Sequence, residues 1–236
     1  MTKKYFRVEL KPVDTGKIYE TSVMNYGDNF KDNYYAHFLK SYFSVLDQVN
    51  LPVDFLVSAT NQIMAMGDMY TDVLMDAIDE ENNIVLYKVT RNEKHKNYKI
   101  PVSIMGEFLQ SFDEHNQFIH FDNGSVLWEA FFEKVRAKEF PHLPSRMNST
   151  FLFSDIQSCK FYQQNHCGGQ GSVVEIETVR TDNIFEGDMN IIDDIENSIS
   201  RDELTEKIRQ YWMGIQTTNC IKEYIFQGEY RVSSIV

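Results

Sequence analysis

The sequence has 236 residues, of which 42% are hydrophobic and 14% aromatic, so it can bury a sizeable core and is not a disordered chain. Its 23 Lys and Arg stand against 35 Asp and Glu, which gives a formal net charge of −12. Nonspecific nucleic-acid binding rests on clustered cations, so this charge excludes a protein that coats nucleic acid broadly. It leaves open an enzyme that binds nucleic acid at a small basic patch.

Cysteine usage favours a reducing compartment. Cys159, Cys167 and Cys220 cannot all pair within one chain, and no CxxC is present. His166 beside Cys167 lacks a second ligand pair at zinc-site spacing, so we predict no metal site. The first residues turn polar too soon for a signal peptide, and no run approaches the ~20 apolar residues of a membrane span. We therefore expect a soluble, cytoplasmic protein that does not bind membranes.

Up to about residue 140, the sequence predicts a short strand followed mainly by helices. Apolar residues recur at three- and four-residue spacing in several stretches, which is the pattern of amphipathic helices. A loop with Pro12, Gly16 and Gly27 follows the first strand. The elements predicted in this half are strands over 5–10 and 84–90, a loop over 11–30, and helices over 33–49, 54–79, 100–115 and 124–138.

In the rest of the sequence, strands and helices alternate. Ser154 or Asp155 can cap one helix, and Ser200 with Glu203 forms a capping box for another. The predicted order is one strand, then several helices, then alternating strands and helices, and this order predicts an α+β fold. The elements predicted here are strands over 149–153, 172–179, 223–226 and 230–235, the last two joined at Gly228, helices over 154–165 and 200–212, a glycine turn at 168–171 and an acidic loop over 182–197.

Familiar catalytic signatures are missing from the sequence: it contains no GxSxG, Walker loop, HExxH or GxGxxG. Another set of residues fits together better. Arg7 lies on the first predicted strand, Arg146 precedes Ser149 and Thr150 at the start of a middle strand, and Glu223 opens a late strand.

These residues belong to motifs that resemble the ADP-ribosyltransferase fold of the Arg-Ser-Glu type. The motifs are R-x-x-S-T-F-L-F from Arg146, Asp188-Met189, Y-W-x-G from Tyr211 and E-x-x-x-x-G-x-x-R-V from Glu223. More narrowly, the chain resembles bacterial ADP-ribosyltransferase toxins of phage-defence toxin–antitoxin systems, of the DarT and CmdT kind. The resemblance covers about residues 1–10 and 141–236. It implies one domain over 1–236 with a split β-sheet core and a mainly helical insertion at 11–140.

The resemblance implies NAD as co-substrate and Glu223 as the catalytic residue. Cleavage of the nicotinamide–ribose bond builds positive charge on the ribose, which a nearby carboxylate stabilises. The same carboxylate can take a proton from the acceptor. The implied cofactor-binding residues are Arg7 and Arg146 at the pyrophosphate or adenosine ribose, Ser149 and Thr150 at the strand edge that grips NAD, and Tyr162 or Trp212 stacked on nicotinamide.

Each of these residues also has a structural interpretation. A glutamate that opens a strand is usually solvated, an arginine on a first strand can bridge a surface carboxylate, and Trp212 at a helix end is more often a core residue. Position 221 is Ile221, so the ExE pattern of arginine-specific protein modifiers is missing. By the logic of the family, this points away from arginine as the acceptor.

One basic cluster, Arg91, Lys94, Lys96, Tyr98 and Lys99, could contact the phosphates of a nucleic acid and stack a base. A solvated hairpin is the alternative. The acidic stretch 175–206 should repel nucleic acid and could bind a basic partner such as an antitoxin.

The resulting hypothesis is an NAD-dependent mono-ADP-ribosyltransferase toxin of anti-phage defence that modifies a nucleic acid, with RNA ahead of DNA. One alternative is transfer of ADP-ribose to a protein. Another is a catalytically inactive fold that serves as a binding module.

Overall fold

The computed structural model describes residues 4–30, 34–49, 51–53, 72, 75–89, 95–113, 124–193, 195 and 199–236. They form two compact units. The first, here called the sheet unit, comprises described residues within 1–31, 128–195 and 205–236. The second, the hairpin unit, comprises described residues within 32–127 and 196–204.

Strands and helices are mixed, and every strand pairing among the described residues is antiparallel, which confirms the predicted α+β class. The strands are β1 Lys4–Glu9, β2 Ile18–Glu20, β3 Asn83–Val89, β4 His95–Pro101, β5 Thr150–Phe153, β6 Ser172–Asp188 and β7 Lys222–Ile235. The helices are α1 Tyr34–Gln48, α2 Val102–Asp113, α3 Gly124–Glu139, α4 Ile156–His166, α5 Asn190–Asp193 and α6 Arg201–Trp212, with 3-10 turns at Tyr26–Phe30 and Arg146–Asn148.

The sheet unit is built on five strands in the order β2-β7-β5-β1-β6, and β6 also pairs with β7. A ring of pairings β7-β5-β1-β6 therefore closes on itself. Its weakest link is between β1 and β5, which pair only at Phe6↔Phe153. Apart from that pair, no ladder pairing joins β1 to β5 among the described residues, and this gap in the pairing is here called the split of the sheet.

Alternating side chains of these strands enter two different hydrophobic clusters, as the two-residue period of a strand requires. Leu152 and Val174 belong to one cluster, and their neighbours Phe153 and Val173 belong to the other. Burying an aliphatic or aromatic side chain of this size contributes roughly 1.5–3 kcal/mol, so these clusters hold the split sheet together.

The long strands β6 and β7 correct two predictions. The acidic residues after 182 were predicted to form a loop, but β6 continues to Asp188 because its backbone pairs with β7 as far as Asp188↔Lys222. The two predicted late strands are one strand. Gly228, with φ +142°, lets β7 pass a bulge of β6, and a Cβ there would lie 2.1 Å from the carbonyl oxygen of Arg180. The pairing between β6 and β7 thus determines the length of both strands, although the acidic residues after 182 and the glycine at 228 are typical of loops.

The segment 11–30 was also predicted as a loop, yet it contains β2 and a 3-10 turn. The short strand β2 lies at the edge of the sheet, where Ile18 pairs with Arg231 and Glu20 with Glu229. Tyr26 N donates to the carbonyl oxygen of Ser149 at 2.9 Å, which fixes the turn against the start of β5. Because these pairings are remote in sequence, the local Pro and Gly content did not reveal them.

The hairpin unit contains α1, α2 and the hairpin of β3 with β4, whose register runs from Asn83↔Pro101 to Val89↔His95. Strand β4 was expected only under the alternative interpretation of the basic cluster as a hairpin. Within this unit the hydroxyl of Tyr42 donates to the carbonyl oxygen of Val53. Residues 11–31 and 128–140 of the predicted insertion belong to the sheet unit instead. Most of the predicted helix over 54–79 lies outside the described residues. None of the helices in the described part of the chain is long and apolar enough to cross a membrane.

Candidate functional site

Arg7 of β1 and Thr150 of β5 meet where the sheet is split. Arg7 Nη1 donates to Thr150 Oγ1 and, at 2.8 Å, to the hydroxyl of Tyr230. Arg7 Nε lies 2.9 Å from Glu9 Oε1, although the two atoms are not aligned as a hydrogen bond. Burial raises the pKa of Glu9 even though Arg7 lowers it, and burial raises the pKa of Tyr230 to about 12.

A cleft opens beside this contact. Arg7, Thr150 and Tyr162, three of the predicted cofactor-binding residues, line it together, and its cavity volume is about 170 Å³. No described residue accepts a hydrogen bond from Arg7 Nη2, so this nitrogen can serve an anion in the cleft. Other lining residues are Glu9, Lys11, Tyr19, Tyr26, Asp28, Phe151 and Phe153. The lining is thus aromatic with charges of both signs, which suits a ligand with ring systems and ionised groups.

Behind the cleft lies a buried network around Arg146. Arg146 Nε and Nη2 donate to the two carboxylate oxygens of Glu129 at 2.8 and 3.0 Å. Arg146 Nη1 donates to Glu223 Oε1 at 2.9 Å and contacts the hydroxyl of Tyr211 at 2.8 Å. That hydroxyl donates to the same Glu223 oxygen at 2.7 Å. All four residues are at most 8% exposed.

Aromatic rings enclose the guanidinium of Arg146. Its central carbon lies 4.7 Å from the ring centre of Phe132 and 4.6 Å from that of Phe151. Burial alone would lower the pKa of Arg146, but Glu129 and Glu223 outweigh it and hold the pKa well above its usual range. Burial and, secondly, the charge of Glu223 keep the pKa of Tyr211 far above its usual range. Burial also raises the pKa of Glu129, against the effect of Arg146.

This network corrects the role predicted for Arg146. All three guanidinium nitrogens are engaged by Glu129, Glu223 and Tyr211, so no pair of donors is left for a phosphate. It also removes the alternative that Glu223 is a solvated strand end, because Glu223 is 1% exposed. Arg146 instead holds Glu223.

Glu223 uses only one of its carboxylate oxygens in this network. Both hydrogen bonds reach Oε1, and no described residue donates to Oε2. Glu223 does not itself line the cleft, but its register partner Phe153 does. The charge of Glu223 also acts on two residues that line the cleft. Burial is the main cause that raises the pKa values of Tyr162 and Tyr26, and the charge of Glu223 contributes to the same shift. The carboxylate therefore lies directly behind the cleft wall.

Ser149 and Trp212 do not line the cleft. Ser149 is fully buried, and its hydroxyl donates to the carbonyl oxygen of Ser145 at 2.5 Å, so it fastens the start of β5. Trp212 is 2% exposed, and its Nε1 donates to the carbonyl oxygen of Phe132 at 3.2 Å. This corrects the predicted stacking role of Trp212, because an indole packed in the core presents no face to a ligand.

Tyr162 is the aromatic residue that reaches the cleft. It stacks on His166, with ring centres 4.9 Å apart and planes inclined by 16°, and its other neighbour is Phe153 at 5.2 Å. The two contacts fix the ring. Of the two aromatic residues predicted to stack on nicotinamide, Tyr162 lines the cleft and Trp212 does not.

The predicted basic cluster lies in the hairpin unit. Arg91 and Lys94 lie outside the described residues, and for Lys96 only the backbone in β4 is described. Tyr98 is buried. Lys99 contacts Asp79 at 2.8 Å and Glu81 at 3.0 Å, so its charge is already balanced by carboxylates.

Sequence reasoning missed Glu129 and the hydroxyl of Tyr211. A signal for Glu129 was present: it lies three residues before Phe132, on the apolar face of α3. A charged residue on the buried face of an amphipathic helix needs a buried partner, but the sequence could not tell which residue that partner is.

Metal ligation has no support in the described part of the chain, where no group of three or more His, Cys, Asp or Glu side chains could hold an ion. Cys159, Cys167 and Cys220 are all free thiols.

In comparisons with known proteins, a family model described as protein of unknown function (DUF2441) matches residues 13–236. No curated protein matches the chain.

Proposed function

The chain belongs to the family described as protein of unknown function (DUF2441), so its activity must be argued from the site, and we propose that it is an NAD-dependent ADP-ribosyltransferase. One observation carries the proposal. Glu223 is buried behind a cleft with one carboxylate oxygen held by Arg146 and Tyr211 and the other without a donor among the described residues. A carboxylate fixed in this way is preorganised to stabilise positive charge.

The split sheet supports the same proposal, because an ADP-ribosyltransferase-like fold would bind NAD beside such a split. The aromatic rings and the charges that line the cleft would suit NAD. Arg7 would hold the pyrophosphate through Nη2, and the fixed ring of Tyr162 would stack on the nicotinamide or adenine ring. Thr150 would keep Arg7 in place through its hydroxyl.

In the proposed reaction, the bond between the ribose C1′ and the nicotinamide nitrogen breaks, and nicotinamide leaves with the electron pair. The oxocarbenium-like ribose that results is stabilised by Glu223 Oε2. A hydroxyl or amine of the acceptor then forms the new bond at C1′ and gives up its proton, which the same oxygen can accept. Water is kept from the carboxylate by the aromatic side chains around Arg146.

For the acceptor, the proposal is a nucleic acid, with RNA ahead of DNA. Its support is the basic composition of residues 91–99. The pairing of Lys99 with Asp79 and Glu81 favours the alternative acceptor, a protein, because that cation is already neutralised. An antitoxin partner and a role in phage defence stay predictions from the resemblance.

The test compares the wild type with Glu223→Gln and with Glu186→Gln as a matched control. Glu186 lies on the neighbouring strand, opposite Tyr224, and is partly exposed in an ion pair with Lys222. With NAD labelled in the ADP-ribose moiety and a cell lysate, we expect nicotinamide release and label transfer to fall about 100-fold in Glu223→Gln and to stay unchanged in Glu186→Gln.

An inactive wild type, or equal activity of wild type and Glu223→Gln, would overturn the proposal. The acceptor is identified by treating the labelled product with RNase, DNase or protease. Label that survives both nucleases and is released by protease would replace the nucleic-acid acceptor with a protein.

A further inference from the structure

We infer that Glu129 is a positioning residue of this site, which orients Arg146 and balances its charge so that Glu223, behind the cleft wall, keeps an uncompensated negative charge. The inference rests on the proposed function for its kinetic consequence. Its structural consequence can be measured independently of any activity.

The first argument is geometric. Glu129 binds Arg146 at two points, through Nε and Nη2, and this forked contact fixes the plane of the guanidinium. Phe132 and Phe151 hold the same plane by stacking on it. The third nitrogen, Nη1, then has one direction in which to point, and this direction meets Glu223 Oε1. Glu129 therefore sets the orientation of Glu223 without touching it.

The second argument concerns charge. The network holds one cation, Arg146, and two carboxylates, Glu129 and Glu223. With Arg146 and Glu223 alone, the ion pair would be neutral and would do little for a developing positive charge in the cleft. With Glu129 ionised, Arg146 is already neutralised, and the network keeps one net negative charge. Since low-dielectric surroundings strengthen such a field, the additional charge acts on the ribose.

Glu129 lies on α3, inside the stretch 11–140 that was predicted to be an insertion without a matching family. Its part of that helix belongs to the sheet unit. This stretch thus contributes a residue to the site and does more than separate the first strand from the others.

The experiment uses the full chain with Glu129→Gln, Glu129→Asp and, as a control, Glu133→Gln. Glu133 lies on the same helix and binds Arg136 at 2.6 Å in a more exposed pair. For nicotinamide release, we expect Glu129→Gln to lower kcat at least tenfold with KM for NAD changed less than twofold, because ligand contacts in the cleft are untouched. Glu129→Asp, which keeps the charge, should recover part of kcat, and Glu133→Gln should match the wild type.

The second readout is hydrogen exchange of the Arg146 side-chain Nε–H, followed by NMR without NAD. We expect slow exchange in the wild type and at least tenfold faster exchange in Glu129→Gln. Wild-type kcat, or unchanged exchange, in Glu129→Gln would overturn the inference. If the wild type releases no nicotinamide, the proposed function fails, and exchange alone decides whether Glu129 holds Arg146. If Glu129→Gln does not fold, kcat and the exchange rate of Arg146 Nε–H are measured in Glu129→Asp instead. Wild-type values of both in that variant would overturn the inference.

Discussion

Arg146 Nη1 lies 2.9 Å from Glu223 Oε1, and both side chains are buried. A buried ion pair is costly to form but still more costly to break, because removing one partner leaves a charge without water or counter-ion. The effects of substitutions around this pair can therefore be predicted in sign, for stability as well as for activity.

Arg146→Met should cost about 3–5 kcal/mol in free energy of unfolding at pH 7, since Glu129 and Glu223 are then buried with no cation between them. The folded-state pKa of Glu129, already raised by burial, would rise further. A carboxyl whose pKa is raised on folding destabilises above its unfolded pKa of about 4.3 and less so as the pH falls. Urea denaturation at pH 7 and pH 5 should thus show a smaller deficit at the lower pH.

The control for this substitution is Arg136→Met. Arg136 lies on α3, pairs with the partly exposed Glu133 and donates to the carbonyl oxygen of Leu143 at 2.9 Å. Its loss leaves only this partly exposed carboxylate unpaired, so it should cost about 1–2 kcal/mol. An equal loss in both variants, or a deficit for Arg146→Met that widens on acidification, would contradict the assignment of a buried ionised network.

Arg7→Lys should raise KM for NAD about tenfold and change kcat less. Lysine keeps the charge but has a single nitrogen. It cannot donate to Thr150 and Tyr230, as Arg7 Nη1 does, and also present a second nitrogen such as Nη2 to the ligand. Steady-state kinetics of nicotinamide release would measure the two constants. Arg231→Lys, an exposed position on β7, is the control and should leave both unchanged. A fall in kcat with constant KM would show that Arg7 acts on the reaction and not on NAD binding.

Asp188→Asn should loosen the segment that leads into β7. The carboxylate of Asp188 accepts hydrogen bonds from the backbone and hydroxyl of Thr217, both at 2.7 Å, and from the backbone of Ile221 and Asn190, each at 3.0 Å. An amide has one acceptor oxygen in place of two, so the expected loss is about 3 kcal/mol of stability at pH 7.

The pH dependence provides a check on Asp188. Burial alone would raise its pKa, but the hydrogen bonds from Thr217, Ile221 and Asn190 outweigh burial and lower it. Its contribution is therefore present above about pH 4, the usual pKa of aspartate, and is lost as the pH falls through the folded-state pKa. Urea midpoints of wild type and variant should converge only in strong acid, and early convergence near pH 6 would refute this account. Asp182→Asn, an exposed control on the same strand, should leave the midpoint unchanged.

Gly228→Ala should destabilise the protein more than Gly16→Ala. Both glycines have positive φ, +142° and +82°, so alanine is strained at both positions by about 1–3 kcal/mol. Only at Gly228 would the new Cβ also meet backbone, namely the carbonyl oxygen of Arg180. Thermal unfolding of the two variants should show the larger loss at Gly228, and similar losses would mean that β7 can shift to relieve the contact.

Local signals in the sequence predicted much of the second half. The capping box was confirmed, because Glu203 N donates to Ser200 Oγ at 3.3 Å and Ser200 N donates to Glu203 Oε2 at 3.2 Å. Asp155 caps α4 by accepting from Ser158 N at 2.8 Å. Such contacts span only three residues, so the sequence displays them directly. The extension of β6 to Asp188 was not predictable in this way, because its support is a partner strand some 35 residues later.

The candidate site shows the same limit. Arg7, Thr150 and Tyr162 were predicted together and line one cleft. The partners of Arg146 could not be predicted, because Glu129 and Glu223 lie 17 residues before it and 77 residues after it. Which carboxylate an arginine meets depends on tertiary packing, and a phosphate-binding and a structural arginine look identical in sequence.

The strand order of the sheet also governs how the chain can fold. Strand β1 pairs with β6 about 170 residues further along, and β2 pairs with β7 about 210 residues further along. At ribosomal rates of roughly 5–20 residues per second, β1 emerges on the order of ten seconds before β6 exists. The nascent N-terminal strand therefore waits with an unpaired edge, exposed to wrong partners, and the sheet should form slowly after synthesis of β7 and not vectorially along the chain.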